Sequence, residues 1–457
     1  MMNGMADFRD DMEMAQRIAA EVDRIGGAVY YVGGYVRDAL LHRDNKDIDI
    51  EVHGVLPRQL EAVLDSLGER LEMGESFGIY GLKGYTLDIS MPRKAETAGQ
   101  GRCFEKLVDP FVGTRSAAMR RDFTMNAMMQ NVLTGEMVDH FGGREDLEAG
   151  IIRHVDDQTF SEDPLRVLRA AQFAARFGFE VAQETLEFCS RLDISQIARE
   201  RIEGELKKAL LKSPKPSVFF ETLRRMKQLS CWFPELAALI GVEQNPRYHA
   251  EGDVYTHTMM VLDEATAFKE RVQDPLALML SAVTHDFGKA ICTEMIDGVI
   301  HAYKHETEGL PVVQAFLERF TGDQKLIDQV MNLTELHMKP IVQIKAGSSV
   351  KSMNKMFDQA IDQEALIAIA LADDLGRFPR RTEMDFDGRL HQSLAVYREY
   401  MARPHVMGRD LVAAGLKPGP EFSELLAYAH KLRLAGVAKE HALKQTLAYA
   451  RSRHKNS

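Results

Sequence analysis

The chain has 457 residues, of which 45% are apolar, and a formal net charge of −11. This length predicts about three domains with full-sized cores. The acidic balance excludes a broadly basic nucleic-acid coat, so any RNA contact must use local basic patches. No apolar run approaches the roughly 18 residues needed to span a membrane, so no membrane partner is expected. The four cysteines are widely spaced without a CxxC pair, which disfavours structural zinc and disulfides and predicts a cytoplasmic protein.

A glycine pair follows the first predicted strand. After an amphipathic helix over 12–25, the apolar run 28–32 predicts a buried strand that ends at Gly33-Gly34 and leads into a helix over 36–41. Two glycines let the backbone approach a ligand closely, and the helix N-terminus offers unpaired N–H groups with Arg37 on its first turn. The segment therefore outlines a phosphate cradle.

The next segment alternates carboxylates with isoleucines over residues 47–51. On a strand, Asp47, Asp49 and Glu51 would share one face. Hard divalent cations take oxygen ligands, and a pair of them can activate a hydroxyl and stabilise a leaving pyrophosphate. A solvated edge strand after an ordinary Gly-Gly turn is the alternative. Asp88, on the second strand of a hairpin predicted over 79–89, is either a third carboxylate of the same site or a turn cap.

The glycine turn and the carboxylate strand together resemble the nucleotidyltransferase superfamily. Its pattern is GG near a helix start followed by D-x-D on a strand. The form VGGxVRDxLL…DxDIE is similar to its class II tRNA branch, which contains the CCA-adding enzymes and the bacterial poly(A) polymerases. The resemblance implies that Asp47 and Asp49 are catalytic and hold Mg²⁺ while the RNA 3′-hydroxyl attacks the α-phosphate in line. It also implies that the triphosphate is held by Gly34, Arg37 and Arg121.

A long segment with little periodicity spans residues 91–119, and loops of this length are usually functional or disordered. The resembled family has a flexible loop here, with a PR-x-E signature, that governs the switch from C to A addition. Pro92-Arg93 matches this signature, whereas Glu96 stands one position later than the pattern expects. The segment is long enough to permit A addition, while the family's CC-only members have a shortened loop.

The string RRDFTMNA at 120–127 offers paired guanidinium groups for phosphate oxygens and polar groups for ribose hydroxyls. A helix start with a basic first turn is the simpler interpretation. The string matches a family motif in every fixed position, which implies that Arg121, Asp122 and Asn126 bind the nucleotide.

A second helix start lies at 161–169, with Ser161 as the predicted N-cap. Asp163, Arg166 and Arg169 are three apart and would share one helix face. A carboxylate beside a guanidinium complements the Watson–Crick edges of C and A, and leaves G and U mismatched, without a nucleic-acid template. An ordinary surface ion pair is the alternative. In the resembled family EDxxR selects the nucleotide, and Glu162, Asp163 and Arg166 match it.

A histidine and aspartate constellation follows Val242. His257 lies on a predicted helix over 254–265, His285-Asp286 ends a helix over 276–283, and Asp373 comes later. This spacing is typical of a site for one or two divalent ions, and it resembles the HD-type phosphohydrolases. The predicted ligands are His257, His285, Asp286 and Asp373. The alternatives are an active metal phosphodiesterase and a metal-holding or vestigial RNA-binding domain.

The resemblance covers nearly the whole chain and implies an α+β fold, with a small-sheet nucleotidyltransferase head and an elongated all-α neck and body that includes an HD domain. The expected divisions are a head at 1–150, a neck at 151–241, an HD domain at 242–376 and a tRNA-contacting tail at 377–457. The implied activity adds C, C and A from CTP and ATP to the tRNA 3′ end, which is recognised by shape and backbone. No protein partner is predicted.

Three rival functions remain open. A poly(A) polymerase would share the head, but it would be expected to have extra basic segments and no HD domain. A CC-only or A-only tRNA nucleotidyltransferase would differ only in the behaviour of its loop. An HD phosphodiesterase with a head that merely binds nucleotides belongs to a different class, and it is excluded if Asp49→Ala abolishes CTP incorporation but spares hydrolysis of 2′,3′-cyclic phosphates.

Overall fold

The computed structural model describes residues 8–45, 47–72, 79–93, 108–378 and 384–454. The chain divides into two compact units. The first comprises Met1–Ile197 with Arg225–Gln228, and the second comprises Ala198–Arg224 with Leu229–Ser457. The predicted division into four segments stays a prediction.

One mixed sheet organises the first unit. Its described strands are β1 Ala28–Val32, β2 Asp49–His53, β3 Arg70–Glu72, β4 Ile79–Leu82, β5 Asp88–Ser90, β6 Met129–Asn131 and β7 Met137–Val138. They lie side by side in the order β3-β4-β5-β2-β1-β6-β7. Strands β2 and β5 run parallel, while the other neighbouring strands pair antiparallel. The sheet therefore aligns the N-terminal ends of β2 and β5.

Alternation explains why β2 forms where the sequence predicted it. Ile50 and Val52 are fully buried, and Ile48 just before the strand is 1% exposed. The intervening Asp49 and Glu51 point to the opposite face, as the period of two requires. Helices Phe8–Arg24 and Pro57–Leu67 pack on each other in the first unit, and the former also packs on β1.

Two helices of the first unit lie where the sequence predicted them. The observed bounds are Phe8–Arg24, predicted as 12–25, and Gly34–Leu40, predicted as 36–41. Two details of the predicted neck were wrong. Ser161 is the last residue of a short helix rather than an N-cap, and β8 Ile151–Ile152 pairs in parallel with β9 Glu180–Val181 in a region expected to be helical. The other helices of the unit are Thr114–Met119, Thr124–Asn126 (3₁₀), Gly143–Ala149, Asp157–Ser161, Arg166–Phe177 and Gln183–Cys189.

The second unit is built of helices, with one small hairpin of β10 Glu294–Ile296 and β11 Val299–His301. Helices Val254–Ala265, Pro275–Thr284 and Gln363–Leu375 are apolar on most sides and pack together as its core. The first of these has the predicted bounds. The remaining helices are Arg199–Lys212, Ser217–Arg225, Leu229–Trp232, Pro234–Ala237, Thr266–Arg271 (3₁₀), Lys289–Cys292, His305–Glu308, Leu310–Phe320, Gln324–Leu336, Lys339–Lys345, Val350–Gln359, Phe386–Ala402, Gly408–Ala413, Glu421–Leu434 and Lys439–His454.

The predicted fold class is confirmed, because a small-sheet α+β unit is followed by a helical one. Among the described helices, none combines the length and the apolarity that crossing a membrane requires.

Candidate active site and a second cluster

Two carboxylates meet at the parallel pair of the sheet. Asp49 opens β2 and Asp88 opens β5, and the two residues are direct partners in the register of these strands. Partners in a parallel pair point to the same face, and both side chains line one cavity of about 370 Å³. The structure thus favours the third-carboxylate interpretation of Asp88 over the turn cap. Asp47 lies just before β2 and is exposed.

Burial and neighbouring carboxylates make both Asp49 and Asp88 harder to ionise. Burial, followed by the negative charge of Asp88, raises the pKa of Asp49 to about 6, although Arg121 opposes the rise. Burial and the charge of Asp47 raise the pKa of Asp88. Acidic oxygens that repel each other in a partly buried cavity are suited to bind a divalent cation. Mg²⁺ needs only one or two carboxylates in addition to substrate phosphates.

The glycine turn before the second helix allows a close approach to this site. Gly33 adopts a positive φ of 64°, which disfavours any residue with a Cβ. A Cβ at this position would lie 3.3 Å from Arg121 Nη1 and 3.9 Å from Asp49 Oδ2. Gly34 follows as the first residue of the helix. The strand-to-helix turn predicted from the sequence is therefore adjacent to the carboxylates.

Guanidinium groups form part of the wall of the same cavity. Arg93, Arg120, Arg121 and Arg166 all line it. Arg121 Nη2 donates to Glu51 Oε2 at 2.9 Å, and His53 Nε2 lies 2.9 Å from Glu51 Oε1. Burial alone would raise the pKa of Glu51, but Arg121 and His53 outweigh burial and lower it. The wall keeps a fixed positive charge beside the carboxylates.

The RRDFTMNA string forms a buried hydrogen-bond network rather than an open surface. Asp122 accepts from Arg169 Nε at 2.8 Å and from Asn126 Nδ2 at 2.9 Å. Asn126 Oδ1 accepts from Arg37 Nη1 at 2.8 Å, and Arg37 also binds Asp38. Burial opposes the ionisation of Asp122, but Arg169 dominates and lowers its pKa. The network links the helix Gly34–Leu40 to the helix Arg166–Phe177.

Arg37 lies inside this network and not on the cavity. The whole residue is 4% exposed, and its guanidinium lies 4.7 Å from the ring centroid of Phe177 and 5.2 Å from that of Phe173. Burial, in spite of the neighbouring Asp38, lowers its pKa. Its assignment to the triphosphate, like that of Gly34, stays a prediction.

The proposed base-selecting residues do not all lie on one helix. Asp163 lies in the turn before the helix Arg166–Phe177, and its Oδ1 accepts from the backbone N–H of Leu165 at 3.2 Å. Arg166 donates to the carbonyl oxygens of Thr159 and Arg120 at 2.6 Å each. The expectation that Asp163 shares a helix face with Arg166 and Arg169 was wrong, because the helix starts at Arg166, whereas the two arginines do lie three residues apart on it.

The cavity brings together four of the predicted site residues and separates others. Asp49, Arg93, Arg121 and Arg166 line it, whereas Asp122, Asn126 and Arg169 lie in the adjoining network. Glu96 lies outside the described residues. Sequence reasoning left Arg120 without a separate role, although it lines the cavity and bridges to Glu162 at 2.6 Å. The signal for it was the doubled arginine itself.

The histidine and aspartate residues of the second unit also converge. His257 Nε2 lies 3.0 Å from Asp373 Oδ1, and Asp286 lies 3.3 Å from His285 Nε2 and 3.2 Å from His305 Nε2. Potential ligand atoms within 4.8 Å of one another form three sets in the described part of the chain. These are His249-Glu251-His257, His257-His285-Asp373 and Asp286-His305-His337. All four predicted ligands are therefore in or beside one buried cluster.

Sequence reasoning missed part of this cluster. The predicted ligand set did not include His305 and His337, nor Glu251, which lies 3.0 Å from His257 Nδ1. Lys289 lies 2.6 Å from Asp286 Oδ2, and Arg377 binds Asp373. The signal that could have found them is weak, because these residues come from separate helices and loops.

Charge in the cluster is balanced by its own cations. Burial would raise the pKa of Asp286 and of Asp373, but Lys289 and Arg377 respectively hold each carboxyl well below its ordinary range. Burial and the neighbouring His285 lower the pKa of His337 to about 3, so its imidazole is neutral at pH 7. His285 Nε2 and His305 Nε2 are buried without a hydrogen bond among the described residues. The neutral imidazole of His337 and the ionised carboxylates of Asp286 and Asp373 fit a divalent transition metal.

The fold and the cavity of the first unit are those of a nucleotidyltransferase head. Its features are paired strand carboxylates, a glycine turn beside them and arginines that line the same cavity. Residues 29–153 match the "Poly A polymerase head domain" family, and residues 178–240 match "Probable RNA and SrmB- binding site of polymerase A". The chain is 35% identical over 389 residues to a "Multifunctional CCA protein" of Pasteurella multocida. This alignment covers 80% of this chain and 89% of the relative. It is 33% identical over 425 residues to the protein of the same name from Halorhodospira halophila, across 90% and 98% of the two chains.

The chain therefore belongs to the multifunctional CCA protein family, which is the class II CCA-adding branch of the poly(A) polymerase superfamily, and it is a nucleotidyltransferase enzyme. Its fold is that of "Thermotoga maritima CCA-adding enzyme complexed with tRNA_CCA", with a TM-score of 0.66 over 96% of this chain and 95% of that one at 20% identity.

Proposed function

We propose that this chain adds C, C and A in turn to the 3′ end of tRNA, using CTP and ATP, in the cytoplasm. The observation that carries the proposal is the register match of Asp49 with Asp88 beside the arginine-lined cavity. Family membership supplies the substrate class, because the relatives at 35% and 33% identity are named for CCA. The register match argues that the head is a reaction site rather than a nucleotide-binding surface.

The catalytic carboxylates are Asp47 and Asp49, with Asp88 as a third. They would hold Mg²⁺, which when bound makes the RNA 3′-hydroxyl more acidic and neutralises the leaving pyrophosphate. Arg121 donates a hydrogen bond to Glu51, which holds its guanidinium in place. It lines the same cavity, where it would bind triphosphate oxygens. Asp49 and Asp88 lie on paired strands, so two substrates bound at these carboxylates would be aligned for in-line attack.

Selection between bases is assigned to Asp163 and Arg166. The carbonyl oxygens of Thr159 and Arg120 hold the Arg166 guanidinium in one orientation, so its remaining N–H groups present a fixed pattern to a base edge. Arg169 supports the pair through Asp122, which in turn holds Asn126. A base with the reverse donor and acceptor order would leave these groups unpaired.

An extension assay tests the proposal. Transcripts of tRNA that end before CCA, or after CC, are incubated with each labelled NTP and Mg²⁺. Two C additions followed by a single A are expected. Incorporation of C alone or of A alone would reduce the protein to a CC-only or A-only enzyme, and long A tails would make it a poly(A) polymerase. The proposal would be overturned if the wild-type protein incorporated no nucleotide, or if Asp49→Ala incorporated as much as the wild type.

A second activity is proposed for the buried cluster of the second unit, namely metal-dependent hydrolysis of phosphoesters. His257, His285, Asp286 and Asp373 would hold the metal, together with His305 and His337. When bound, a divalent ion there supplies a water of lowered pKa as nucleophile. Lys289 lies in a cavity of about 310 Å³ that borders the cluster, and would bind the phosphate of the substrate.

The metal is tested before the activity. The full chain is loaded with Mn²⁺, Co²⁺, Ni²⁺ or Mg²⁺, dialysed and assayed for bound metal, then compared with Asp286→Ala and with the control His441→Ala, an exposed histidine elsewhere in the same unit. Loss of metal in Asp286→Ala alone, with loss of 2′,3′-cyclic phosphate hydrolysis, is expected. Equal metal content in all three proteins would refute the site. Asp49→Ala should retain hydrolysis, which separates this activity from nucleotidyl transfer.

A further inference from the structure

An aromatic wall borders the cavity beside the buried cluster. The cavity of about 310 Å³ has Asp286, His305 and His337 at its inner side, and His301 with Tyr303 among its other lining residues. Its volume is at the lower end of the range of small-molecule sites, which suits one nucleotide unit better than a long chain. Nothing in the nucleotidyl transfer or in the proposed hydrolysis uses this wall.

The wall consists of two rings in face-to-face contact. His301 is the last residue of β11, Tyr303 lies in the turn that follows it, and both line the cavity. Their ring centroids are 4.8 Å apart, and their planes differ by 16°. Tyr303 is 62% exposed, so folding of the chain alone leaves most of this ring uncovered. An exposed flat π-surface at the edge of a cavity is a surface on which another ring can stack.

A buried amide supplies a second, independent sign of a ligand. Gln244 lines the same cavity and is 8% exposed. Its Oε1 accepts from Lys289 Nζ at 2.9 Å, which fixes the orientation of the amide. Its Nε2 is buried and has no hydrogen-bond partner among the described residues. An unsatisfied buried donor of this kind costs free energy unless a bound molecule supplies an acceptor oxygen or nitrogen.

Charge defines the other end of the cavity. Lys289 ion-pairs with Asp286 at 2.6 Å, and Arg377 also lines the cavity. A ligand that suits all three features has an anionic group for the N–H donors of Lys289 and Arg377, acceptor atoms for the amide and a flat ring for the aromatic wall. A nucleoside phosphate has all of these in one molecule, whereas an inorganic or alkyl phosphate lacks the ring.

We propose that the stacked His301–Tyr303 pair is a platform for the nucleobase, and that it is a specificity-determining element which makes the site prefer nucleoside phosphates to phosphoesters without a base. The proposal rests on the hydrolytic function proposed above. In hydrolysis of a 2′,3′-cyclic phosphate, one P–O bond forms to a water oxygen and one ring P–O bond breaks. The released ribose oxygen takes the proton that water loses, and the product is a phosphate monoester. The platform orients the ribose and leaves this chemistry unchanged.

The first test compares two cyclic esters with the same five-membered phosphate ring, adenosine 2′,3′-cyclic phosphate and glycerol 1,2-cyclic phosphate. Base stacking on an aromatic side chain corresponds to about 5- to 150-fold in affinity. Tyr303→Ala should lower kcat/KM for the nucleotide by about that factor, mainly through KM, and change kcat/KM for the glycerol ester less than about twofold. Tyr303→Phe should restore the nucleotide rate.

The matched control is Met295→Ala, since Met295 is on the same hairpin, is 63% exposed and does not line the cavity. It should leave both rates unchanged. If Tyr303→Ala lowers both rates equally, Tyr303 is a structural residue and the platform does not exist. If it changes neither rate, the base does not stack there. Equal losses in Met295→Ala and Tyr303→Ala would point to a destabilised hairpin and would also overturn the proposal.

A binding measurement decides the matter even if the cluster hydrolyses nothing. Adenosine 2′-monophosphate is titrated calorimetrically into the full chain in EDTA, where any binding to the head is common to all variants. Weaker binding in Tyr303→Ala, by about 5-fold or more, with no change in Met295→Ala, supports the platform. Identical titrations refute the platform. Absence of hydrolysis by the metal-loaded wild type would refute the proposed hydrolytic function separately.

Discussion

Asp49→Asn separates the catalytic role of the carboxylate from its effect on the stability of the head. The pKa of Asp49 is raised from 3.8 to about 6, so in the absence of metal its ionised form destabilises the folded state. Each pKa unit corresponds to about 1.4 kcal/mol, which gives roughly 3 kcal/mol as an upper limit. Because the cavity is partly open to solvent, we expect about 1–2 kcal/mol. The neutral amide has the same shape and removes this penalty.

The sign follows from the linkage between protonation and folding. The folded-state pKa lies above the unfolded one, so the penalty is present in full above pH 6 and disappears below about pH 3.8. At pH 7.5 in EDTA, Asp49→Asn should therefore unfold at a higher temperature than the wild type. For a unit of about 200 residues, the gain is about 2–8 °C. The difference should shrink as the pH falls from 7 to 4.

The assay is differential scanning calorimetry of the first unfolding transition at several pH values, combined with labelled CTP incorporation. Asp49→Asn should lose more than about a hundredfold in activity, which exceeds the effect of removing a residue that only orients a metal ligand. Asp23→Asn, an exposed aspartate on the first helix, is the control and should change neither quantity. A variant that is inactive but no more stable than the wild type at pH 7.5 would refute the electrostatic reasoning. An active variant would refute the catalytic assignment.

Three further predictions concern the two sites. Gly33→Ala should lower the free energy of unfolding by about 1–2 kcal/mol and raise the KM for CTP, because the backbone has a φ of 64° and the new methyl group would lie 3.3 Å from Arg121. Arg169→Gln should destabilise the head by about 2–4 kcal/mol at pH 7, measured by urea unfolding, because it leaves the ionised Asp122 buried. The pKa of that carboxyl is lowered in the fold, so the loss should shrink as the pH falls below 4. A bound divalent transition metal at about 100 times its Kd should stabilise the second unit by about 2.7 kcal/mol, and His337→Ala should abolish this gain.

The first two of these predictions have control variants, and all three have a contrary outcome. Gly113→Ala creates the same backbone strain, at a φ of 80°, where a Cβ would meet open space, so an equal rise in KM would exclude the contact with Arg121. Arg144→Gln removes an exposed ion pair and should cost less than about 0.5 kcal/mol, and a comparable loss would show that burial of Asp122 is not the cause. Metal stabilisation that survives in His337→Ala would remove that histidine from the ligand set.

Local periodicity allowed the sequence to predict much of this fold. Strand β1 and the helix Val254–Ala265 have the predicted bounds, and the alternation in β2 predicted which side chains face the site. These features depend on spacing along one segment, which a single sequence displays directly. The glycine turn was found for the same reason, since Gly33 and Gly34 interrupt an otherwise regular apolar run.

The remaining features arise from contacts between distant segments. The pairing of Asp88 with Asp49 is set by the order of strands in the sheet, and the hydrogen bonds of Arg166 to two carbonyl groups depend on how a preceding turn folds back. Glu251 approaches His257 from a loop, and its position has no periodic signal. Arg37 illustrates the converse, because its sequence position suggested an open phosphate site, while packing against phenylalanine rings buries it.

The parallel pairing of β2 with β5 also limits which changes of length the head can tolerate. Side chains alternate along a strand, so a shift of β5 by one residue would turn Asp88 to the opposite face and bring Ile89 into the cavity. The connection at 83–87 between β4 and β5 is therefore expected to reject the insertion of a single residue if the extra residue enters the strand, although surface loops usually accept insertions. A library of insertions and deletions across this connection, selected for tRNA repair in cells, would reveal this spacing constraint as a narrow interval of intolerance inside an otherwise permissive surface segment.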